Sequence, residues 1–305
     1  MMNGSLTESA VLAEGLVKSY GKVKALGGVS LDVRHGETFG IIGPDGAGKS
    51  TLFRLLTSLL VPDSGSAQVE GLDTVKDYRE IRKIIGYMPG KFSLYQDLTV
   101  EENLTFFATL FGTTIDENYH LIEDIYKQIE PFKARMAGKL SGGMKQKLAL
   151  CCELIHKPKV LFLDEPTTGV DPVSRKEFWD MLGRLKNDGI TILVSTPYMD
   201  EAGRCDRIAL IRNGKFLTVN SPAGIIAEFP DRLYSVRSDR MHALLGDLRA
   251  YSGTIRAFSF GESVHLSTGD GFSEDDLRKF LQDRKHNNVE INAIRPSVED
   301  CFMRI

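Results

Sequence analysis

The segment Gly43-Pro44-Asp45-Gly46-Ala47-Gly48-Lys49-Ser50-Thr51 fits the pattern G-x-x-x-x-G-K-[ST], which reads as a cradle for phosphate groups. Its glycines let backbone N–H groups turn inward around an anion. A helix beginning near Lys49 adds the positive end of its dipole. In such a loop the lysine, here Lys49, reaches the β- and γ-phosphates of a nucleotide, and the hydroxyl, here Ser50, ligates Mg²⁺. The flanks separate a working cradle from a chance cluster of glycines. Strand-like Thr38-Phe39-Gly40-Ile41-Ile42 precedes it and an apolar-periodic run from Leu52 to Leu60 follows. That is the strand–loop–helix setting the motif requires.

A second strand-like run, Lys159-Val160-Leu161-Phe162-Leu163, ends at Asp164 and Glu165. A continuous apolar run is the mark of a parallel strand buried on both faces. Nucleotide pockets open at the carboxyl ends of such strands. There Asp164 is placed to hold Mg²⁺ and Glu165 to act as general base on an attacking water.

Between these lies Leu-Ser-Gly-Gly-Met-Lys-Gln, from Leu140 to Gln146. Ser141 reads as a helix N-cap, and Gly142 and Gly143 leave backbone N–H groups open to an anion. The chain thus carries two anion-binding helix starts, at Ser50 and at Ser141. One γ-phosphate does not need both from a single subunit, so the second is expected to complete a site on another molecule.

These motifs, together with the Gly169-Val170-Asp171 turn, give the chain a close resemblance to the nucleotide-binding subunit of an ABC (ATP-binding cassette) transporter, over about residues 11–222. The resemblance implies a head-to-tail dimer with two ATP molecules at its interface. Each ATP would sit on one phosphate loop and be closed by the other subunit's Ser-Gly-Gly signature. Ser141, Gly142 and Gly143 would then contact the partner's γ-phosphate, and Asp171 would belong to the loop that meets the interface. Tyr20 matches the aromatic residue that stacks on adenine; the alternative is a half-buried core aromatic. A membrane permease is the implied second partner. A cytoplasmic location, peripheral on the inner face of the membrane, follows from the same resemblance.

The chain departs from the family in two places. After Ile85-Gly86-Tyr87-Met88-Pro89 the family has a glutamine that touches Mg²⁺ and the attacking water; here it is Gly90. After Thr191 to Thr196 the family has a histidine that contacts the γ-phosphate; here it is Pro197. Gly90 has no side chain to offer, and Pro197 has neither a side-chain donor nor an N–H. Gln96 is a remote substitute, six residues displaced. Binding needs the phosphate loop, which is intact, whereas orienting water needs groups that are gone. The expected assembly is a heterodimer with one weakened and one competent site, with a homodimer running slowly at both sites as the rival.

A net charge of −3 lacks the basic footprint of nucleic-acid binding. No apolar run approaches the length of a bilayer span, and the opening residues MMNGSLTESA lack the regions of a secretory signal. The four cysteines, Cys151, Cys152, Cys205 and Cys301, form no C-x-x-C pair and read as free thiols. The six scattered histidines read as surface or core residues rather than metal ligands.

Alternating strands and helices predict an α/β fold, a P-loop cassette on a largely parallel sheet, over residues 1–222. A helical insert is expected at about 86–155, opened by the capping box Thr99-x-x-Glu102. Its aromatics Phe92, Tyr95, Phe106, Phe107 and Phe111 either face the permease or fill the insert's own core. Helices are also expected at Arg175–Lys186 and Met199–Arg204, and a turn at Pro62–Gly65. Residues 223–305 read as a small accessory domain of order β-α-β-β-α-β, suiting a ferredoxin-like unit, and then a terminal helix near Pro296–Phe302. That tail is similar to those of export and drug-efflux cassettes. Its role is either dimer support and regulation or simple stabilisation. The leading functional expectation is an ATPase subunit that drives an exporter. The alternatives are an ATP-binding regulatory subunit with little hydrolysis and a soluble ABC ATPase outside transport.

Overall fold

The computed structural model describes residues 9–91 and 93–304. Phe92 and residues 1–8 of the opening stretch lie outside the described residues. The chain divides into two compact units, Met1–Ser221 and Pro222–Ile305.

The first unit opens with a long hairpin of β1 (Ser9–Tyr20) and β2 (Val23–Arg34). Strand β3 (Thr38–Ile42) feeds α1 (Lys49–Leu56) through the glycine-rich loop. Strands β4 (Ser64–Val69) and β5 (Leu72–Asp73) join β1 and β2 in an antiparallel sheet of order β2-β1-β4-β5. Ser64 and Gly65, expected in a turn, open β4 instead. Next come α2 (Tyr78–Ile84), β6 (Ile85–Met88), α3 (Val100–Leu110), α4 (Ile115–Tyr126) and α5 (Gly142–Leu154). The unit closes with β7 (Val160–Asp164), α6 (Pro172–Asn187), β8 (Thr191–Thr196), β9 (Arg207–Arg212) and β10 (Lys215–Asn220).

The central sheet has the order β10-β9-β3-β8-β7-β6, parallel except for β10. β3, β7 and β8 are buried at every residue, as their unbroken apolar runs require of interior parallel strands. Helix α1 lays Leu52, Phe53, Leu55 and Leu56 into the core, with Phe53 edge-on to Phe162 of β7 at 5.8 Å. Each such buried side chain contributes roughly 1.5–3 kcal/mol, which holds the loop before α1 against the sheet. Ile85–Met88 is the edge strand of this sheet, paired with β7, so the helical segment begins past Met88. Thr99 caps α3 with the predicted reciprocal box to Glu102. Met199–Arg204 is a 3₁₀ helix rather than an α-helix: Glu201, in its middle, turns inward to side-chain partners instead of lining an exposed face.

Helix α5 touches β6 through a carboxyl. Tyr87 N–H donates to Glu153 Oε2 at 2.9 Å, and burial pushes the Glu153 carboxyl up to about 8, against the hydrogen bond from Tyr87. The folded state binds this proton more tightly than the unfolded chain. Stability therefore falls as pH rises from about 4.5 to about 8. Glu153→Gln keeps an acceptor for Tyr87 and cannot ionise. Its melting temperature should pull ahead of the parent's by a margin that widens from about pH 5 to about pH 8.5, reaching roughly 5 °C. A margin independent of pH would refute the assignment.

The second unit holds α7 (Pro222–Ala227), β11 (Arg232–Arg237), α8 (Met241–Ala250), β12 (Thr254–Phe260), β13 (Ser263–Thr268), α9 (Glu274–Asp283), β14 (Glu290–Ile294) and α10 (Val298–Arg304). Its four-stranded antiparallel sheet has the order β12-β13-β11-β14, so two β-α-β crossovers interleave. Val236, Leu244, Leu248, Leu266, Leu277 and Leu281 form its own core.

Candidate functional site

Three neighbouring strands bring the candidate residues to one edge of the central sheet. Ile42 pairs with Thr196, and Ser195 with Asp164, at the carboxyl ends of β3, β8 and β7. The glycine-rich loop, Pro197 and the Asp164-Glu165 pair all leave the sheet there, the place where open α/β sheets bind ligands. Gly43 N–H donates to the Thr196 carbonyl at 3.3 Å, fastening the loop to the end of β8. The loop tip, Pro44, Asp45 and Gly46, is exposed, while Ala47 is buried. Gly48 enters α1 at φ 106°, and a Cβ there would lie 2.5 Å from the Ala25 carbonyl oxygen, so no other residue fits. No acidic residue stands in the first turn of α1, leaving its N–H groups free of local competition for an anion. Ser50 and Thr51 are half-buried in that turn.

Lys49 is only 3 % exposed. Its Nζ donates to the carbonyls of Gly43 (2.8 Å) and Pro44 (3.0 Å) and lies 3.0 Å from Glu165 Oε1. Glu165 has φ 52°, a left-handed conformation uncommon outside glycine. Two bonds hold it there: its N–H donates to the Ser195 carbonyl at 3.1 Å and to Ser195 Oγ at 3.0 Å. Ser195 Oγ in turn donates to Asp164 Oδ1 at 2.6 Å. Strand β8 therefore holds the Asp164 carboxylate and the Glu165 backbone, while Lys49 meets the Glu165 carboxylate. The Ser50 hydroxyl and the Asp164 carboxylate are hard oxygen donors of the kind Mg²⁺ takes, so the residues present fit that ion.

The two family departures sit beside this group. A Cβ on Gly90 would lie 3.0 Å from the Asp164 carbonyl oxygen and 3.8 Å from Glu165 Cβ. Pro197 follows Thr196, whose carbonyl holds Gly43. Gln96 is exposed, and its backbone carbonyl accepts from Gly138 N–H at 2.9 Å.

Ser141, Gly142, Gly143 and Asp171 form a second group. Ser141 Oγ caps α5 by accepting from Met144 N–H at 3.4 Å. Asp171 Oδ1 caps α6, accepting from Val173 N–H (3.1 Å) and Ser174 N–H (3.0 Å), and the bonds with Ser174 hold its carboxyl below the usual range. The helix starts are pressed together: a Cβ on Gly143 would lie 2.7 Å from Ser174 Oγ. Tyr20 ends β1 and is 46 % exposed.

Sequence reasoning missed Glu201. It is 4 % exposed and accepts hydrogen bonds from Thr167 Oγ1 (2.8 Å), Thr196 Oγ1 (2.5 Å), and Nε and Nη2 of Arg175 (3.2 and 3.0 Å). The only signal available was an acidic residue four positions past Pro197, which reads as a solvated face.

A family model described as ABC transporter matches residues 26–168. The chain is similar to the probable multidrug ABC transporter ATP-binding protein YbhF of Escherichia coli K12, with 38 % identity over 98 % of this chain and 52 % of that protein. It therefore spans about half the length of that relative. It is also similar to the Nod factor export ATP-binding protein I of Rhizobium sp. strain N33, with 34 % identity over 98 % of both chains. Among solved structures, the dimeric post-hydrolysis state of the ATP-binding cassette MJ0796 bound to ADP and Pi matches with a TM-score of 0.63 and 26 % identity, over 69 % of this chain and 98 % of that one.

Proposed function

The chain belongs to the ABC transporter family of ATP-binding proteins, and from that premise we propose that it binds ATP at a weakened site of its own and completes a competent site on a second cassette. The observation that carries this reading is the pairing of an intact loop, Lys49, Ser50, Asp164 and Glu165 with Gly90 and Pro197 beside them. Lys49 trades the Gly43 and Pro44 carbonyls for β- and γ-phosphate oxygens, and Glu165, released from Lys49, faces the water. Tyr20 stacks on adenine. Ser50 and Asp164 would hold Mg²⁺, which when bound would neutralise phosphate charge. The side chains that would fix the water and the γ-phosphate oxygens are missing, so nucleotide is held longer than it is cleaved.

Ser141, Gly142, Gly143 and Asp171 serve the partner's ATP. The intact Ser-Gly-Gly signature, set against Gly90 and Pro197 in the same chain, supports a second cassette as partner. A heterodimer is accordingly favoured over a homodimer. The transport step is export through a membrane permease, in line with the names of the multidrug and Nod factor relatives. Among the described residues no helix is long and apolar enough to cross a membrane, and the chain is read as cytoplasmic and peripheral on the membrane. Tyr95, Phe106 and Leu110 of the helical insert are 51, 40 and 63 % exposed, an apolar face suited to a permease helix. A regulatory subunit with little hydrolysis is the second reading, favoured by the same Gly90 and Pro197.

ATP turnover by the purified chain should be slow and rise at least about tenfold on mixing with the cognate cassette. Phosphate release measured for the chain, the partner and the mixture checks this. Fast turnover by the chain alone would overturn the weakened-site reading.

A further inference from the structure

We propose that Glu201 is a positioning residue that carries nucleotide binding at the phosphate loop to the second anion-binding helix start of the same chain. The proposal rests on the ATP-binding reading above and adds the route. It starts at Gly43, whose N–H holds the Thr196 carbonyl. Thr196 Oγ1 accepts from Tyr198 N–H at 3.0 Å and donates to Glu201 Oε2 at 2.5 Å. Both sides of Pro197 are thus pinned, so a displacement of the loop reaches Glu201 instead of being absorbed at the proline.

The other carboxylate oxygen, Oε1, gathers Thr167 and both Arg175 nitrogens. Thr167 lies two residues past Glu165. Arg175 also stacks over the Tyr198 ring, 4.1 Å from its centre, so the clamp closes on itself. Arg175 directly follows Ser174, which presses on Gly143 at the start of α5. A carboxylate this deep, with four charge-assisted or hydroxyl bonds, is stiff: losing any one leaves buried polar groups unpaired. The loop after Glu165, the segment around Pro197 and the α6 start are therefore one mechanical piece. ATP on this chain's loop would reset Gly142 and Gly143, which await the partner's ATP.

Hydrogen exchange on the full chain, with and without saturating ATP and Mg²⁺, tests the route at a concentration where sedimentation shows monomer. ATP should slow the amides of residues 43–51, and also shift exchange at residues 141–145 and 171–176 by at least about threefold. Glu201→Gln should keep the first effect and lose the second. Arg175→Lys, which retains charge but not the fork, should do the same. Thr196→Ser should preserve the coupling and Thr196→Val should lose it. The Thr196 pair carries the test should Glu201→Gln not fold. If residues 43–51 respond while the distant segments do not, or respond equally in the variants, the relay is wrong and ATP binding stands. If residues 43–51 do not respond at all, the ATP reading fails and takes the relay with it.

Discussion

Gly143→Asp is expected to cut ATP hydrolysis by the assembled dimer by on the order of 10²–10³, while ATP affinity at this chain's own loop stays within about threefold. Two effects add. A Cβ at this position would lie 2.7 Å from Ser174 Oγ and 2.9 Å from Ser174 Cβ, forcing the α5 and α6 starts apart. The new carboxylate would then sit at the helix start proposed to receive the partner's phosphate, replacing attraction by repulsion. Lys49→Ala supplies the contrast. In a heterodimer whose working site uses the partner's loop, Lys49→Ala lowers turnover far less than Gly143→Asp. In a homodimer the two substitutions cripple every site alike. Phosphate release by the assembled complex, with melting temperatures to confirm folding, decides the matter. Equal losses would remove the asymmetric reading.

The second large effect is a gain. Gly90→Gln with Pro197→His should raise hydrolysis at this chain's own site by about 10²-fold, measured with the partner's loop disabled. A side chain on Gly90 would start beside the Asp164-Glu165 segment, its Cβ 3.0 Å from the Asp164 backbone carbonyl oxygen and 3.8 Å from Glu165 Cβ. The first distance is tight, so the backbone must yield by a few tenths of an ångström. Replacing Pro197 returns an N–H and a side-chain donor while leaving the Thr196 clamp in place. Each single change should give a smaller gain than the pair, because water and γ-phosphate are oriented together. A folded, ATP-binding double variant with unchanged turnover would mean that other groups limit this site.

How much of this was legible depends on the sequence distance over which each feature is written. The phosphate loop, the α3 capping box and the apolar β3 and β7 are local patterns, and the structure shows them where the residues put them. The element order from Arg232 onward also follows its local periodicity, although the short α7 before it was not expected, but the pairing of β11 between β13 and β14 is a topological fact that periodicity does not encode. Ile85–Met88 was hard to place because four residues ending before a proline carry almost no period. The Lys49–Glu165 pair and the Glu201 cluster were invisible for a different reason. Their members come from separate elements and the loops between them, and meet only when β3, β8 and β7 lie side by side. Glu201 in particular has the composition of a surface residue and the surroundings of a core one, and only its four donors reconcile the two.

The contacts of Lys49 set a limit on how tightly this chain can grip its ligand. A buried ammonium satisfied by two carbonyls and a carboxylate has to surrender them before it can serve a phosphate. The dissociation constant therefore reports an exchange, new bonds minus old ones, and understates the raw pull between lysine and phosphate. Weakening the Glu165 end of that exchange, as Glu165→Gln would, should tighten nucleotide binding even as it slows the chemistry.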